Sequence, residues 1–432
     1  MGSSQKRLSA KDPRCLCYND YMRDSNVLKL EIEKNLVRPV EKISIINLVD
    51  SFVEYAYLLH ASDVHIQPEE NFVRVRFRID GLLHDIFEKA QGIRKDIYQE
   101  IVSRIKVLAG LRTDEHMVPQ DGRFKISVKD FGDVNVRVSI IPTNHGENAI
   151  LRVLAESQGY TIDSLGFSVA DIAKVQHAIT KPYGMILANG PTGSGKTTTL
   201  YTILKQLNKS EVSIITIEDP VEYSLDGTTQ IQTNTEVGLT FATGLRSILR
   251  QDPNIIMVGE IRDEETASIA VNAALTGHLV LSTLHTNDSA TTFPRLLDMG
   301  VPPFLVASTV NIAIGQRLVR QLCQNCKGER KLSYEEVRSL QELIPDVDVK
   351  MKFFASRGCD KCEGLGYTGR LGIREVLEVN DDIRKLIMAR ASAQDIKAAA
   401  VASGMKTMVD DALLKVSKGL TSLEEVLRVV HE

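Results

Sequence analysis

The sequence lacks any long hydrophobic run. A helix that spans a bilayer needs roughly 20 apolar residues in succession, whereas the best stretch, Val301 to Ile314, is short and interrupted by Pro302, Pro303 and Asn311. The N-terminal segment MGSSQKRLSAKDPR also lacks the apolar centre of a signal peptide. These absences argue against a helical membrane protein, and we expect a cytoplasmic chain.

Tryptophan is absent and the net charge is small. The 52 Lys and Arg residues are balanced by 56 Asp and Glu, a formal net charge of -4, so no global positive field attracts nucleic acid or anionic lipid. The sequence also has no basic stripe and no alternation of aromatic and basic residues on which bases would stack. We therefore expect no stable nucleic-acid binding.

Cysteine is scarce, with six in 432 residues, too few for a disulfide framework. Four of them form two C-x-x-C pairs, Cys323 with Cys326 and Cys359 with Cys362. Four thiolates without a nearby histidine predict a closed structural Zn²⁺ site, and a redox pair is the alternative. The other two, Cys15 and Cys17, are expected to be ordinary thiols.

A chain of this length divides into two to four compact units. Near its start, apolar residues recur at helical spacing over 43–59, and 72–79 alternates as a strand with three arginines on its polar face, Arg74, Arg76 and Arg78. Further strands are predicted at 125–128 and 135–140. Farther along, four apolar runs indicate a parallel sheet with crossover helices; they are 185–188, 212–217, 255–258 and 279–282.

The segment Gly190-Pro-Thr-Gly-Ser-Gly-Lys-Thr197 matches the phosphate-binding pattern G-x-x-x-x-G-K-[ST]. It sits between a predicted strand and a predicted helix opening at Lys196, where its N–H groups and the helix N-terminus would receive phosphate. Lys196 would reach the β- and γ-phosphates, and the Thr197 hydroxyl would take a Mg²⁺ position. The predicted nucleotide-binding residues are Gly190, Pro191, Thr192, Gly193, Ser194, Gly195, Lys196, Thr197 and Thr198. A plain glycine turn before a helix is the alternative.

Acidic and histidine residues flank the other predicted strands. Phosphoryl transfer needs a group that orients the attacking water, and we predict Glu260, after the 255–258 strand, with Glu218 as second candidate. His285, just past the last strand, is a candidate sensor of the γ-phosphate, as is His278 to a lesser degree. Solvated acids at strand ends and structural histidines are the alternatives.

Taken together, these motifs resemble those of the secretion ATPases that drive type II secretion and type IV pilus assembly. Four boxes occur in that family's order: GPTGSGKTTTLY from Gly190, ITIEDPVEY from Ile215, LTFATGLRSILRQDPNIIMVGEIRD from Leu239 and GHLVLSTLHTND from Gly277. Five shorter matches accompany them: ASDVHIQP from Ala61, RVRFRIDG from Arg74, PQDGR from Pro119, QRLVRQLC from Gln316 and GYTGRLGIREV from Gly366. The resemblance covers the chain from about residue 40 to its end.

The resemblance implies a homo-hexameric ring. In such a ring an N-terminal domain resembling PAS folds packs on the RecA-like domain of a neighbour and contributes arginines to its ATP. Arg76 and Arg78 are the candidates here, with Arg123, Arg137 and Arg152 as weaker ones. The residues alone fit a solvated strand face equally well, although other NTPases do use arginines supplied in trans.

The predicted fold class is α/β, a RecA-like P-loop NTPase core with a smaller PAS-like α/β domain, a zinc-binding tetracysteine subdomain and a helical C-terminal region. The predicted divisions are an N-terminal arm at 1–38, the PAS-like domain at 39–157, a linker at 158–166, the RecA-like ATPase domain at 167–320, the tetracysteine subdomain at 321–371 and the helical C-terminal domain at 372–432.

The function implied by the resemblance is hydrolysis of ATP, with Mg²⁺, to power assembly of a type IV pilus or a type II secretion pseudopilus. The chain would work at the inner face of the membrane with an inner-membrane platform protein, and its tetracysteine cluster favours assembly over disassembly. The same cysteine module also fits a zinc-containing DNA-translocating or DNA-uptake ATPase, which DNA-stimulated hydrolysis would reveal. A non-enzymatic scaffold would require Lys196 and Glu260 to be idle.

Overall fold

The structure is a computed structural model that describes residues 25, 27–87, 92–128, 132–154, 159–344 and 347–431. Cys15 and Cys17 lie outside the described residues. The chain divides into two compact units, Met1–Glu156 and Ser157–Glu432, and each is described by itself.

The described residues of the first unit form three α-helices, of which the second and third pack against each other and on its sheet. They are α1 (27–36), α2 (Ile45–Leu58) and α3 (Lys95–Ala109). The helix predicted over 43–59 is confirmed by α2, which begins after Ser44 because that side chain caps the N–H of Asn47. No helix was predicted over 27–36, yet Ile32 and Leu36 are buried there. Half of the residues in this segment are apolar, but the prediction did not use the helical spacing of Leu28, Ile32 and Leu36.

The first unit's sheet has six antiparallel strands in the order β3-β2-β1-β6-β5-β4. Their bounds are β1 (Ala61–Pro68), β2 (Val73–Ile79), β3 (Leu82–Asp85), β4 (Gln120–Val128), β5 (Gly132–Thr143) and β6 (Gly146–Leu154). Burial alternates along β2 as predicted, with its arginines on the half-exposed face. The strands β4 and β5 extend beyond the predicted 125–128 and 135–140, because their added residues pair across the ladder although most of them are exposed or half-buried.

In the second unit the main sheet has seven strands in the order β15-β12-β7-β11-β10-β8-β9. The bounds are β7 (Gly184–Asn189), β8 (Ile214–Glu218), β9 (Thr229–Gln232), β10 (Ile255–Val258), β11 (Leu279–Leu284), β12 (Val310–Leu322) and β15 (Tyr367–Glu378). The strands from β12 to β9 are parallel, and β15 is antiparallel to β12. The four apolar runs are confirmed as β7, β8, β10 and β11, which are buried on both faces.

Helices cover both faces of this sheet. Their bounds are α4 (Val169–Ile179), α5 (Lys196–Leu207), α6 (Phe241–Ile248), α7 (Glu264–Leu275), α8 (Thr292–Asp298), α9 (Pro303–Thr309), α10 (Tyr334–Leu343), α11 (Asp381–Met388), α12 (Ala393–Ala402), α13 (Met408–Ser417) and α14 (Leu423–His431). One apolar core lies under α4 and α5, and the other lies under α6 to α9, α11 and α12. None of the helices in the described parts of the chain is both apolar enough and long enough to cross a membrane.

A third, smaller core joins the cysteine-bearing segment to the C-terminal helices. A two-stranded sheet of β13 (Lys327–Arg330) and β14 (Phe353–Ser356) contributes Phe353, which packs with residues of α13 and α14 and with Val319 of β12. Two strands, β12 and β15, run through the divisions placed at 320/321 and 371/372. The segments on either side of these divisions therefore share one sheet.

Candidate functional site

The loop between β7 and α5 needs glycine at several positions. Gly190, Gly193 and Gly195 have φ of 146°, 80° and 84°, in a region that L side chains disfavour. A Cβ at Gly190 would also collide with the backbone carbonyl of Gln316. Because α5 begins at Lys196 as predicted, the unpaired N–H groups of its first turn lie at the end of this loop. The strand, loop and helix thus form an anion-binding cradle.

Lys196 is directed back onto this loop. Its Nζ donates hydrogen bonds to the carbonyl oxygens of Gly190 at 2.7 Å and Pro191 at 2.9 Å, and the residue is 8% exposed. Burial lowers the pKa of Lys196 to about 8, while the negative charge of Glu260 acts in the opposite direction. An anionic phosphate beside this ammonium group would favour its charged form in the same way.

The residues after three adjacent parallel strands meet at one sheet edge. The loop follows β7, His285 follows β11 and Glu260 lies just past β10. The Nε2 atom of His285 lies 3.0 Å from Oε2 of Glu260, and Arg262 pairs with Oε1 at 2.6 Å. Glu260 is 9% exposed. The structure therefore brings together Lys196, Glu260 and His285, which were selected separately from the sequence.

Glu218, at the end of β8, is held in a different way. Its carboxylate accepts hydrogen bonds from Thr216 at 2.6 Å, from Gln230 at 3.2 Å and from the Tyr201 hydroxyl. Burial raises the pKa of Glu218, and these hydrogen bonds oppose the increase. This carboxylate is 3% exposed and is occupied in joining β8, β9 and α5.

The prediction that His278 could sense phosphate is wrong. His278 precedes β11, and β11 is parallel to β7 with Leu279 opposite Gly184. It therefore lies at the amino edge of the sheet, where its ring contacts the carbonyl oxygen of Ala273 at 2.9 Å. The phosphate-binding loop leaves β7 at the opposite edge.

Two residues of this region were not found from the sequence, Arg262 and Gln316. Arg262 follows Glu260 by two positions, and this spacing of opposite charges was the available signal. Gln316 is a fully buried amide on β12 that contacts both the loop and α5. Because β12 carries several other polar residues, among them Arg317, Arg320 and Gln321, no local signal distinguished Gln316.

The four paired cysteines form one cluster. Their Sγ atoms all lie within 4.8 Å of one another, with separations of 3.9 Å (Cys323–Cys359), 3.7 Å (Cys326–Cys362) and 3.8 Å (Cys359–Cys362). A tetrahedral Zn²⁺ with Zn–S bonds of about 2.3 Å places its sulfurs about 3.8 Å apart. The residues therefore fit a metal ion and are too far apart for disulfide bonds.

Polar groups around the cluster favour thiolates. The N–H groups of Cys359 and Gly366 each donate to Sγ of Cys362 at 3.2 Å, and the Asn325 amide donates to Sγ of Cys359 at 3.4 Å. This amide lowers the pKa of the Cys359 thiol, whereas burial raises that of Cys323. Such outer hydrogen bonds orient metal-binding sulfurs.

The candidate arginines lie in the first unit, where four of them fall in one row across the sheet. Strand pairing places Arg123, Arg137, Arg152, Asp63 and Arg78 side by side in that order. Asp63 binds Arg152 at 2.9 Å and lies 3.5 Å from Arg78. Burial alone would raise the pKa of Asp63, but hydrogen bonds from Arg152 and Ser62 lower it.

Arg76 lies on the same face, two positions along β2 from Arg78 and therefore beside this row. It donates to the Oε1 atom of Gln67 at 3.1 Å, and Arg78 donates to the carbonyl of Gly81 at 2.9 Å. Both side chains therefore have partners within their own sheet.

Most of the chain is similar in sequence to known secretion and pilus assembly proteins. A family model described as type II/IV secretion system protein matches residues 39–428. The chain is 44% identical over 389 residues to the type II secretion system protein HxcR of Pseudomonas aeruginosa, covering 90% of this chain and 78% of that protein. It is 42% identical over 407 residues to the type IV pilus assembly ATPase PilB of Myxococcus xanthus, covering 94% and 71%.

Solved structures show the same fold. The pilus retraction motor PilT with bound ADP is 26% identical, with a TM-score of 0.59 over 88% of this chain and 96% of that one. The ATPase DotB of Legionella pneumophila has a TM-score of 0.67 at 22% identity, covering 91% and 97%.

Proposed function

The chain belongs to the type II/IV secretion system protein family and is an ATPase, and from this premise we propose that it powers assembly of a type IV pilus or a type II secretion pseudopilus. The main observation in support is that Lys196 and the hydrogen-bonded pair of Glu260 and His285 lie at the same carboxyl edge of the sheet. The names of the most similar relatives, which are secretion and pilus assembly proteins, support the choice of system.

In the proposed reaction, water attacks the γ-phosphorus of ATP and the bond to the β-phosphate oxygen breaks, giving ADP and phosphate. Residues 190–198 bind the phosphates. The ammonium group of Lys196 gives up its hydrogen bonds to the carbonyl oxygens of the loop and donates to phosphate oxygens instead. Glu260 orients the water and takes up its proton. His285, bound to the same carboxylate, reports the presence of the γ-phosphate through Glu260, and Arg262 keeps that carboxylate in place.

Two features favour Glu260 over Glu218 as the residue that orients water. Glu260 acts electrostatically on Lys196, so it is close to the position of the γ-phosphate. Glu218 already accepts three hydrogen bonds from neighbouring elements, and turning it toward water would break them. We assign Glu218 a structural role.

Mg²⁺ accompanies ATP in this class of enzyme, where it neutralises charge on the phosphate oxygens. The Thr197 hydroxyl, half-buried in the first turn of α5, is the protein group proposed to hold it.

The cysteine cluster is proposed to hold one structural Zn²⁺. Four thiolates complete a tetrahedron and leave no position for water or substrate, so the ion stabilises the segment around β13 and β14. This module supports a role in filament assembly.

Removal of one thiol tests the zinc proposal. Cys359→Ser is expected to lose the metal and to lower the melting temperature, since metal binding contributes to folding. ATP binding should survive because β12 remains paired with β7 and β15 on its two sides. Metal analysis of protein purified without chelator should give about one zinc per chain for the wild type and for the control Cys17→Ser. A wild-type content near zero, or an iron–sulfur absorption band, would contradict the assignment.

The ATPase is proposed to act as a homo-hexamer in which Arg76 and Arg78 complete the site of a neighbouring subunit. Arginine stabilises charge on the transferred phosphoryl group when it is supplied in trans. Family membership and the partly exposed row of arginines around Asp63 support this arrangement.

Mixed rings test the shared site. Arg78→Ala and Lys196→Ala chains are each expected to be inactive, whereas their mixture should recover part of the hydrolysis because some interfaces then hold an intact lysine and an intact arginine. Arg74→Ala is the matched control, since Arg74 lies on the same face and is bound to Asp85, and it should retain activity. The absence of recovery in verified mixed rings would count against shared sites.

The proposed place of action is the cytoplasmic face of the inner membrane. There the motor would contact a platform protein of the pilus or secretion apparatus.

A further inference from the structure

Gln316 connects the phosphate-binding loop to β12. The last residue of β12 that pairs with β7 is Gly315, opposite Asn189. Gln316 follows it and therefore lies beside the phosphate-binding loop, which begins at Gly190. Its side chain is 0% exposed. Its Nε2 atom donates to the carbonyl oxygen of Ser194 at 2.8 Å, and its Oε1 atom accepts from the hydroxyl of Thr199 at 2.8 Å. One amide group therefore holds both the loop and the first turn of α5.

The hydrogen bond to Ser194 also determines where the following N–H group points. The peptide unit between Ser194 and Gly195 is planar and trans, so its C=O and N–H groups point in opposite directions. Because Gln316 holds the oxygen on the β12 side, the N–H of Gly195 points away from β12. Loops of this class bind phosphate through N–H groups oriented in this way.

We propose that Gln316 is a positioning residue for nucleotide binding, which acts through Ser194 and Thr199 to hold the Gly195 N–H toward the phosphates of ATP. This inference rests on the proposed function of the loop. Gln316 lies behind the loop and does not touch the reacting atoms. Its loss therefore weakens the binding of phosphates more than it slows the chemical step, and it affects ADP as well as ATP.

The same strand provides a matched control. The Nδ2 atom of Asn311 donates to the carbonyl oxygen of Tyr183 at 2.9 Å and lies against Gly184 at the start of β7. Asn311 and Gln316 thus donate from one strand to the backbone at the two ends of β7, but only Gln316 contacts the phosphate-binding loop. A general weakening of the sheet would affect both variants.

The test compares the wild type with Gln316→Leu, Gln316→Glu and Asn311→Ala. Gln316→Leu removes both hydrogen bonds, whereas Gln316→Glu keeps the acceptor for Thr199 and loses the donor to Ser194. Dissociation constants for ATP and ADP are measured by titration, and KM and kcat by phosphate release. Both Gln316 variants are expected to raise the two dissociation constants and KM about tenfold, with kcat at saturating ATP changed less than about threefold. Asn311→Ala should bind like the wild type.

Thermal melting without nucleotide separates loss of fold from loss of binding. If Gln316→Leu does not fold, Gln316→Glu decides the question, because it preserves size and the contact with Thr199. Wild-type dissociation constants in the Gln316 variants, an equal rise in Asn311→Ala, or unfolding of both Gln316 variants would overturn the inference. A wild-type chain that does not bind ATP would instead overturn the proposed function.

Discussion

Glu260→Gln is expected to leave ATP bound while lowering the rate of hydrolysis at least about a hundredfold. A positioned general base typically contributes between about a hundredfold and ten-thousandfold, and glutamine cannot take up the proton of the attacking water. The amide preserves the shape of the side chain and can still contact His285 and Arg262. The measurement is phosphate release in a single turnover, together with retention of labelled ATP.

Two further glutamate variants serve as controls for this result. Glu265→Gln removes an exposed carboxylate that pairs only with Arg246 among the described ion pairs, and it should keep wild-type rates. Glu218→Gln disturbs a buried hydrogen-bond network and should lower the melting temperature more than kcat. Near wild-type turnover in Glu260→Gln combined with an inactive, folded Glu218→Gln would reverse our assignment of the two carboxylates.

Lys196→Ala is expected to abolish hydrolysis and weaken ATP binding. Removing a positioned group that stabilises developing charge typically lowers kcat about a hundredfold to a thousandfold, and here the same ammonium also binds the phosphates in the ground state. The variant loses hydrogen bonds to Gly190 and Pro191, so the loop itself should become less ordered. Steady-state phosphate release and nucleotide titration measure the two effects.

Lys209→Ala is the control for this variant, since Lys209 is exposed just beyond the other end of α5. It should behave as the wild type in both assays. The melting temperature of Lys196→Ala should stay close to that of the wild type, because the apolar core under α5 is unchanged. Retained hydrolysis in a folded Lys196→Ala chain would contradict the proposed site.

The sequence predicted the parallel sheet well because its strands are buried on both faces and appear as uninterrupted apolar runs. The same reasoning predicted the loop, since a glycine-rich segment between such a strand and a helix has a specific backbone requirement. Periodicity reasoning missed α1, where five of ten residues are apolar but only Ile32 and Leu36 are buried. His278 was selected because it flanks a predicted strand. The direction of that strand, which was not considered, places His278 at the amino edge of the sheet, away from the phosphate-binding loop.

The features that the sequence did not predict depend on contacts between residues far apart in the chain. The amide of Gln316 reaches a carbonyl 122 positions away, so no local pattern could reveal that contact. The cysteine pairs were recognisable from their spacing, but their meeting depends on the antiparallel pairing of β12 with β15, which places Leu322 opposite Tyr367. Likewise, the row of arginines around Asp63 is apparent only once the register of five strands is known.

The most direct test is complementation in a host strain from which this chain has been deleted. Surface filaments and secreted proteins are measured after restoring the wild type, Lys196→Ala or Glu260→Gln at equal levels. We expect the wild type to restore filament assembly or secretion and both variants to fail, since the motor needs ATP hydrolysis at this loop. Restoration by Lys196→Ala, or filaments and secretion unaffected by the deletion, would contradict the proposal.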